Sequence, residues 1–208
     1  LINRERKEHV VTLEDPVEFV HRSQLSVVNQ REVGSHTSSF AAAIRAAMRE
    51  DPDIILVGEM RDHETVSLAL EAATPGHLVL ASRHTATAIS TIERIVGLFP
   101  PGEQNRIQVT LADVIRGVVT QNLLQRIGGG RVAALEILVA SPAISNLIRE
   151  GKTHQIPSSM QTGKAAGNKL LNESLADLVK SGTVEYEEAL SKAVDKADLA
   201  KRLGRRMD

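Results

Sequence analysis

The stretch DIILVGEMRD, residues 53–62, decides the fold class of this chain. It opens with a short apolar run rich in β-branched residues, which is typical of a strand buried on both faces of a sheet. Two similar runs, HVVTL at residues 9–13 and HLVLA at residues 77–81, lie on either side of it in the sequence. Helical patterns separate the runs, and this alternation favours right-handed crossovers and parallel pairing. We therefore predict an α/β fold with a mainly parallel sheet.

The helices between these strands are indicated by apolar residues at helical spacing. They are predicted at about residues 37–49, 62–73 and 85–98, and Asp62 is placed to cap the second of them. Pro52 ends the first helix, because proline cannot donate to the hydrogen-bond ladder. The first two helices therefore each separate two successive strands, and the third follows the last of them.

The pattern changes after Pro101. A long helix is predicted near residues 103–121, and it is followed by a hairpin with strands at residues 122–127 and 132–138 around Gly128-Gly129-Gly130. We expect this hairpin to extend the edge of the parallel sheet.

Helical patterns dominate from Ser141 onward. Ser141-Pro142 is a favourable helix start, and residues 185–203 predict a charged amphipathic helix. We therefore predict two domains: an α/β core at residues 1–140, and a small helical subdomain with a charged tail at residues 141–208.

The composition narrows the class of protein. A formal charge of -1 and an aromatic content of 2% offer neither a basic field nor a stacking platform, so no nucleic-acid partner is expected. The absence of cysteine excludes disulfides and thiolate zinc sites and fits a reducing compartment. No apolar run approaches the ~18 residues that span a bilayer. The chain opens at Leu1 inside a charged helical pattern, so we expect that an upstream piece is missing.

Polar residues follow each of the three predicted strands. The first is followed by Glu14-Asp15, the second by Glu59 and Arg61, and the third by Ser82-Arg83-His84-Thr85. In an open parallel sheet the carboxyl ends of the strands face the ligand crevice. Carboxylates there can orient an attacking water and hold a magnesium hydration shell, while histidine and arginine can neutralise phosphate charge.

Each of these residues also has a structural explanation. Acidic residues after a strand often cap a helix or face solvent, and Asp62 is better explained as a cap than as a catalyst. A single histidine after a strand, such as His84, is more often a hydrogen-bond partner. The functional interpretation therefore depends on the ordered set of three strand ends.

Taken together, these segments resemble the secretion-type ATPases, and within them the branch that retracts type IV pili. VTLEDPVEF (11–19) resembles the aspartate box of that family, REDPDIILVGEMRD (49–62) its Walker B segment, and SRHTATA (82–88) its histidine box. The similarity continues through three further segments: NQREV (29–33), IGGGRVAALEIL (127–138) and AISNLIRE (143–150). It covers nearly the whole chain up to about residue 180.

The resemblance implies a fold and a function. The fold is a RecA-like P-loop ATPase core with a small C-terminal helical subdomain, and the cofactors are ATP and Mg²⁺. The function is that of a hexameric motor which couples ATP hydrolysis to type IV pilus retraction at the cytoplasmic face of a bacterial inner membrane. The partners are further copies of the chain, a paralogous ATPase, and the inner-membrane pilus platform protein.

The resemblance also assigns roles to residues. Glu59 is expected to polarise the attacking water, Glu14 to help organise water and magnesium, and His84 to read the γ-phosphate, with Mg²⁺ held through water near Glu14 and Glu59. The further nucleotide-site candidates are Asp15, Arg61, Arg83 and Thr85. The residues expected to couple the motor to its partner are Ala143, Ile144, Ser145, Asn146, Leu147, Ile148, Arg149 and Glu150.

The sequence departs from the family pattern in three places. Ser145 stands where the family has arginine, and Ser82-Arg83 precedes His84 where the family has Thr-Leu. No G-x-x-x-x-G-K-[S/T] phosphate-binding loop occurs in the 208 residues, and in the family this loop lies just upstream of the first helix seen here. We therefore expect the isolated chain to bind ATP weakly and to hydrolyse it negligibly.

Other functions remain open from the sequence alone. An assembly or secretion ATPase usually carries a four-cysteine zinc element, which is missing here, but an accessory retraction ATPase is not excluded. A non-catalytic subunit of a mixed ring and a nucleic-acid translocase are further alternatives. Motors of this kind complete each site with basic residues from a neighbour, for which Arg31, Arg61 and Arg94 are candidates.

Overall fold

The computed structural model describes residues 1–205 of the chain. It contains two compact units. The first comprises residues 1–84 and 95–114, and the second comprises residues 85–94 and the described residues from 115 onward. Residues 206–208, which belong to the predicted charged tail, lie outside the described residues. The domain boundary predicted at residue 140 stays a prediction.

The first unit is built on a four-stranded parallel sheet with the strand order β2-β1-β3-β4. Its strands are β1 (His9–Glu14), β2 (Val27–Glu32), β3 (Ile54–Val57) and β4 (Leu78–Ala81). The predicted α/β class and its parallel sheet are confirmed. Strand β2 was not predicted, because it is an edge strand whose polar sequence VVNQRE is only partly buried.

Helices α1 to α5 come from the first part of the chain. They are α1 (Ile2–Glu5), α2 (Phe40–Ala47), α3 (His63–Ala73), α4 (Ala88–Gly97) and α5 (Pro101–Val114). The core of the first unit is formed by the buried faces of β1, β3, α2 and α3, and it includes Leu13, Ile44, Ile55, Val57 and Leu68. This core fixes β1 beside β3, and the candidate site lies at the ends of those strands.

Asp62 caps α3, as predicted. Its carboxylate accepts hydrogen bonds from the amide of Thr65 at 2.8 Å and from the Thr65 hydroxyl at 2.9 Å. Partial burial alone raises the pKa of Asp62, but these hydrogen bonds hold it below its ordinary value. The helix therefore begins directly after the charged loop that follows β3.

The second unit contains a separate hairpin. Strands β5 (Gly117–Gln125) and β6 (Arg131–Val139) form an antiparallel two-stranded sheet, so the prediction that the hairpin extends the parallel sheet was wrong. One face of the hairpin packs on helices of its own unit, where Leu124 and Ala134 contact Leu171 and Leu175. The hairpin therefore buries its apolar side without joining the larger sheet.

The predicted long helix at residues 103–121 was also wrong at its end. Helix α5 stops at Val114, and β5 begins at Gly117, where a Cβ atom would lie 2.9 Å from the carbonyl oxygen of Leu138. Glycine lets the two strands approach closely, and the following run Val-Val-Thr favours a strand.

The rest of the second unit is helical. The helices are α6 (Pro142–Arg149), α7 (Ile156–Thr162), α8 (Leu171–Lys180), α9 (Tyr186–Lys192) and α10 (Lys196–Arg202). Ser141 caps α6 and Pro142 is its first residue, as predicted. The single helix predicted at residues 185–203 was wrong, because Asp195 caps a new helix through the amide of Asp198. Within the described part of the chain, no helix combines the length and apolar character needed to cross a bilayer.

Candidate functional site

The candidate site lies where β1, β3 and β4 end. In the parallel register Val57 stands beside both Leu13 and Ala81, so the residues that follow the three strands emerge at one edge of the sheet. The amide of Gly58 donates to the carbonyl of Leu13 at 2.7 Å, which continues the ladder to the start of the loop. Sequence order and register together therefore bring the three strand ends side by side.

Glu14 is the last residue of β1 and is half-buried. Its Oε1 atom accepts hydrogen bonds from the hydroxyl of Thr12 at 2.6 Å and from the side-chain amide of Gln30 at 2.9 Å. These contacts hold the carboxylate at the sheet edge, with Oε2 left for other groups. Neither partner was identified from the sequence, since Thr12 lies two residues back on the same strand and Gln30 lies on the unpredicted strand β2.

Glu59 is two residues past β3, and its side chain is 21% exposed. Its Oε2 atom accepts a hydrogen bond from Nε of Arg61 at 2.7 Å and lies 2.6 Å from Nη2 of the same guanidinium in an ion pair. The imidazole Nε2 of His84 lies 3.6 Å from the other oxygen. Hydrogen bonding from Arg61 holds the pKa of Glu59 below its ordinary value, against the burial that alone raises it. The carboxylate is therefore ionised at neutral pH.

The two carboxylates share one small cavity. Glu14 and Glu59 line a space of about 200 Å³ together with Asp15 and Glu18, and Phe40 and Leu56 provide its apolar wall. Gly58 lies between them, and a Cβ at that position would meet the Leu13 carbonyl oxygen at 2.9 Å. The cavity is therefore acidic and is closed on one side by tightly apposed backbone. Glu18 was not among the predicted site residues, although it follows the same strand.

Arg83 does not extend freely from the strand end. Its Nη1 atom donates to the carbonyl of Met60, and the hydroxyl of Ser82 donates to the carbonyl of Gly58. The buried Nε atom of Arg83 has no hydrogen-bond partner among the residues described. Both residues that depart from the family pattern therefore bind the loop after β3, and the Arg83 charge contributes to the lowered pKa of Glu59.

Two other predicted residues, Thr85 and Arg31, have contacts within their own units. Thr85 belongs to the second unit, where its hydroxyl lies 2.6 Å from that of Thr91. Nη2 of Arg31 donates to both carboxylate oxygens of Glu50, at 2.7 and 2.8 Å. To supply charge to the site of a neighbouring subunit, Arg31 would first have to leave this ion pair with Glu50.

The predicted coupling segment, residues 143–150, forms most of α6 in the second unit. Ile144 and Ile148 are buried, whereas Asn146 is exposed and accepts a hydrogen bond from Arg149 at 2.7 Å. The segment thus has the expected apolar and polar faces. Its role in coupling stays a prediction.

Comparison with known proteins identifies the family. The family described as "Type II/IV secretion system protein" matches residues 1–129. The chain belongs to this family. The resemblance to the secretion-type ATPases, which we inferred from the aspartate box, the Walker B segment and the histidine box, is thereby confirmed.

Individual relatives of the family are similar over most of the chain. The chain is 51% identical to a twitching motility protein of Neisseria gonorrhoeae, over 92% of this chain and 52% of that protein. It is 50% identical to the type IV pilus retraction ATPase PilT of Pseudomonas aeruginosa, over 92% of this chain and 56% of that protein. The chain therefore spans little more than half the length of these relatives.

A solved structure shares the fold. The crystal structure of the pilus retraction motor PilT with bound ADP matches with a TM-score of 0.89 and 48% identity, over 96% of this chain and 57% of that one. The α/β architecture is thus that of a secretion ATPase.

The edge of the sheet that carries Glu14, Asp15, Glu18 and Glu59 is called the acidic edge below. Its carboxylates suit a magnesium ion better than they suit a triphosphate. Within residues 1–205, no three histidine or carboxylate side chains lie close enough to bind a metal ion directly. Mg²⁺ keeps several of its waters and needs only one or two carboxylates, which Glu14 and Glu59 provide around their shared cavity. The phosphate anions need donors, and the guanidinium of Arg61 and the imidazole of His84 lie beside Glu59 at this edge. This combination of carboxylates and donors is the chemistry that one side of a magnesium-nucleotide site requires.

Proposed function

We propose that this chain is the catalytic part of an ATP-driven motor that retracts type IV pili. The observation that carries the proposal is the acidic edge of the sheet, where Glu14 and Glu59 line one cavity and His84 contacts Glu59. The names of the relatives that match most of the chain, a twitching motility protein and PilT, support the same conclusion.

Glu59 is proposed to polarise the water that attacks the terminal phosphate. The ion pair with Arg61 keeps the pKa of Glu59 low, so the carboxylate is ionised but is a weak base while the pair lasts. Arg61 is exposed and lies on the surface side of the ion pair. We propose that it exchanges Glu59 for a phosphate oxygen when nucleotide binds, which frees the carboxylate for the water.

Glu14 and His84 are proposed to complete the site. Glu14 orients water through the oxygen that Thr12 and Gln30 leave available. His84, with an exposed imidazole 3.6 Å from Glu59, donates to the γ-phosphate and so distinguishes ATP from ADP. Mg²⁺, held through its waters near Glu14 and Glu59, supplies neutralising charge to the phosphate oxygens when it is bound.

The partners follow from the same proposal. A motor of this family is expected to assemble as a homohexamer on the cytoplasmic face of the inner membrane and to act on a pilus platform protein there. Residues 143–150, in the proposed helical subdomain 141–208, would form part of the coupling surface. The pilus ATPase PilU of Pseudomonas aeruginosa is 35% identical over 95% of the chain and 52% of its own length, and a paralogue of that kind is a further proposed partner.

The proposal predicts different rates of ATP hydrolysis for the isolated chain and for a longer chain that contains it. The isolated chain, whose 208 residues contain no phosphate-binding loop, is expected to hydrolyse ATP far below the ~1 s⁻¹ common among enzymes. A longer chain that includes this segment and such a loop, called the full-length protein below, is expected to be active. The measurement is phosphate release by both proteins, with the Glu59→Gln variant of each as a control for contaminating ATPases. Fast turnover by the isolated chain, or none by the full-length protein, would show the proposal to be wrong.

A further inference from the structure

Gln30 lies beside the acidic edge, on the edge strand β2. It belongs to the segment NQREV (29–33), which resembles the family but has no role in the proposed function. In the parallel register Gln30 stands beside Thr12 of β1, and Glu14 lies two residues further along that strand. Because side chains alternate along a strand, the side chains of these three residues lie on the same face of the sheet.

The side-chain amide of Gln30 makes three hydrogen bonds. Its Nε2 atom donates to Oε1 of Glu14 and to the carbonyl of Phe19, both at 2.9 Å. Its Oε1 atom accepts the backbone amide of His21 at 2.6 Å. A side-chain amide offers two N–H donors and one carbonyl oxygen, so only one of its two orientations suits all three partners. The direction of the Gln30 amide is therefore fixed.

Gln30 joins the Glu14 carboxylate to the loop that follows β1. Asp15 and Glu18, at the start of this loop, line the same cavity as Glu14. Phe19 is 74% exposed, so hydrogen bonds rather than burial of its ring hold the loop at that point. One side chain of β2 therefore sets both the direction of the carboxylate and the course of the loop beside it.

We infer that Gln30 is a positioning residue for Glu14. The inference rests on the proposed function, because it concerns the carboxylate that is proposed to orient water near Mg²⁺. Without the Gln30 amide, the hydroxyl of Thr12 would still donate to Oε1 of Glu14 at 2.6 Å, but the carboxylate could turn about that single bond. Removing the hydrogen-bond partners that orient the groups around a metal ion typically costs about 10- to 10²-fold in metal affinity or activity.

The test measures ATP turnover of the full-length protein with Gln30→Met, which keeps the length of the side chain and removes all three hydrogen bonds. We expect kcat to fall by about 10- to 10²-fold while KM for ATP changes little, because the oriented water is needed in the transition state. Gln30→Met is also combined with Glu14→Gln. Because Gln30 acts through Glu14, the double variant is expected to be about as slow as Glu14→Gln alone.

Asn3→Leu is the matched control. The Asn3 side chain donates to the carbonyl of Arg22 and accepts the amide of Gln24, both at 2.9 Å. It holds the same loop through the same kind of contact, and among the described residues no hydrogen bond joins it to Glu14. Leucine has nearly the shape of asparagine, so Asn3→Leu is expected to lower the unfolding temperature and leave kcat unchanged.

The outcomes separate this inference from the proposed function. Suppose that Glu14→Gln lowers turnover. If Gln30→Met then leaves kcat unchanged, if the two effects multiply, or if Asn3→Leu lowers kcat as much, the positioning role is wrong and the proposed function stands. If Glu14→Gln itself leaves turnover unchanged, the proposed role of Glu14 and the positioning role of Gln30 are both wrong.

A second variant decides the question if Gln30→Met fails to fold. Gln30→Glu keeps the side-chain shape and an oxygen that accepts the His21 amide, but it replaces the donor to Glu14 with a second carboxylate. The two carboxylates repel each other, so Glu14 is expected to turn away and kcat to fall. The criteria for Gln30→Met, including the double variant with Glu14→Gln, apply to it unchanged.

Discussion

Glu59→Gln is expected to lower ATP turnover by the full-length protein by about 10²- to 10⁴-fold, the usual cost of losing a positioned base. Glutamine keeps the shape of the side chain but cannot accept a proton from the attacking water. The fold should be retained, because the Glu59 carboxylate contacts Arg61 and His84 at the sheet edge and no core residue depends on it. Phosphate release at saturating ATP, with thermal unfolding measured alongside, checks the prediction.

The pH dependence of the unmodified protein gives an independent check. Because Arg61 lowers the pKa of Glu59, this side chain is fully ionised at any pH above the ordinary pKa of glutamate. It becomes protonated only as the pH falls through the lowered pKa. The acid limb of kcat/KM is therefore expected below the ordinary carboxyl range.

The control for Glu59→Gln is Glu103→Gln, which removes a carboxylate paired with Arg106 on the surface of the same unit and should leave turnover unchanged. Normal turnover by Glu59→Gln would show that Glu59 is not the base that acts on the attacking water.

Gly58→Ala is expected to reduce both stability and turnover. The new Cβ would lie 2.9 Å from the carbonyl oxygen of Leu13 and 3.3 Å from the Cα of Glu14. Both atoms belong to the backbone of β1 and cannot rotate away, so β1 and β3 must separate where the two carboxylates meet. Overpacking of this kind costs about 1–3 kcal/mol of unfolding free energy. Turnover should fall as well, because Glu14 and Glu59 no longer share one cavity.

Gly97→Ala is the matched control for this substitution. Gly97 lies at the end of α4 with no atom of another segment within 4 Å of an added Cβ. Alanine is favoured over glycine in a helix by up to about 1 kcal/mol, so this variant should be neutral or slightly stabilised. Chemical unfolding of both variants measures the difference. Equal stability of the two would contradict the close approach of β1 and β3.

The sequence predicted three of the four strands of the parallel sheet, including β4, which is an edge strand and is only partly buried. Strands β1, β3 and β4 were found because their apolar runs are continuous. Strand β2 was missed, because an edge strand with the sequence VVNQRE has no such run. The hairpin was predicted to extend the parallel sheet, but β5 and β6 form a sheet of their own. The local sequence pattern does not reveal which strand a half-buried strand pairs with or which helices it packs against.

The candidate site was predictable at the level of strand ends but not of side-chain contacts. Sequence order and parallel topology were enough to place Glu14, Glu59 and His84 at one edge. The ion pair of Glu59 with Arg61, and the hydrogen bonds from Arg83 and Ser82 to the loop after β3, depend on rotamers and on the register of neighbouring strands. Glu136, a buried carboxylate of β6, accepts hydrogen bonds from the amides of Ala88 and Leu171. These contacts were not foreseen, because the two partners lie 48 and 35 residues away in the chain.

The most direct measurement is a crystal structure of the full-length protein with a non-hydrolysable ATP analogue and Mn²⁺, whose anomalous signal marks the metal. We predict that the terminal phosphate lies against the edge formed by Glu14, Glu59 and His84. The metal should lie about 4 Å from the nearest carboxylate oxygens, as expected for contact through one water. A terminal phosphate bound away from this edge, with the three side chains directed to separate surfaces, would contradict the account.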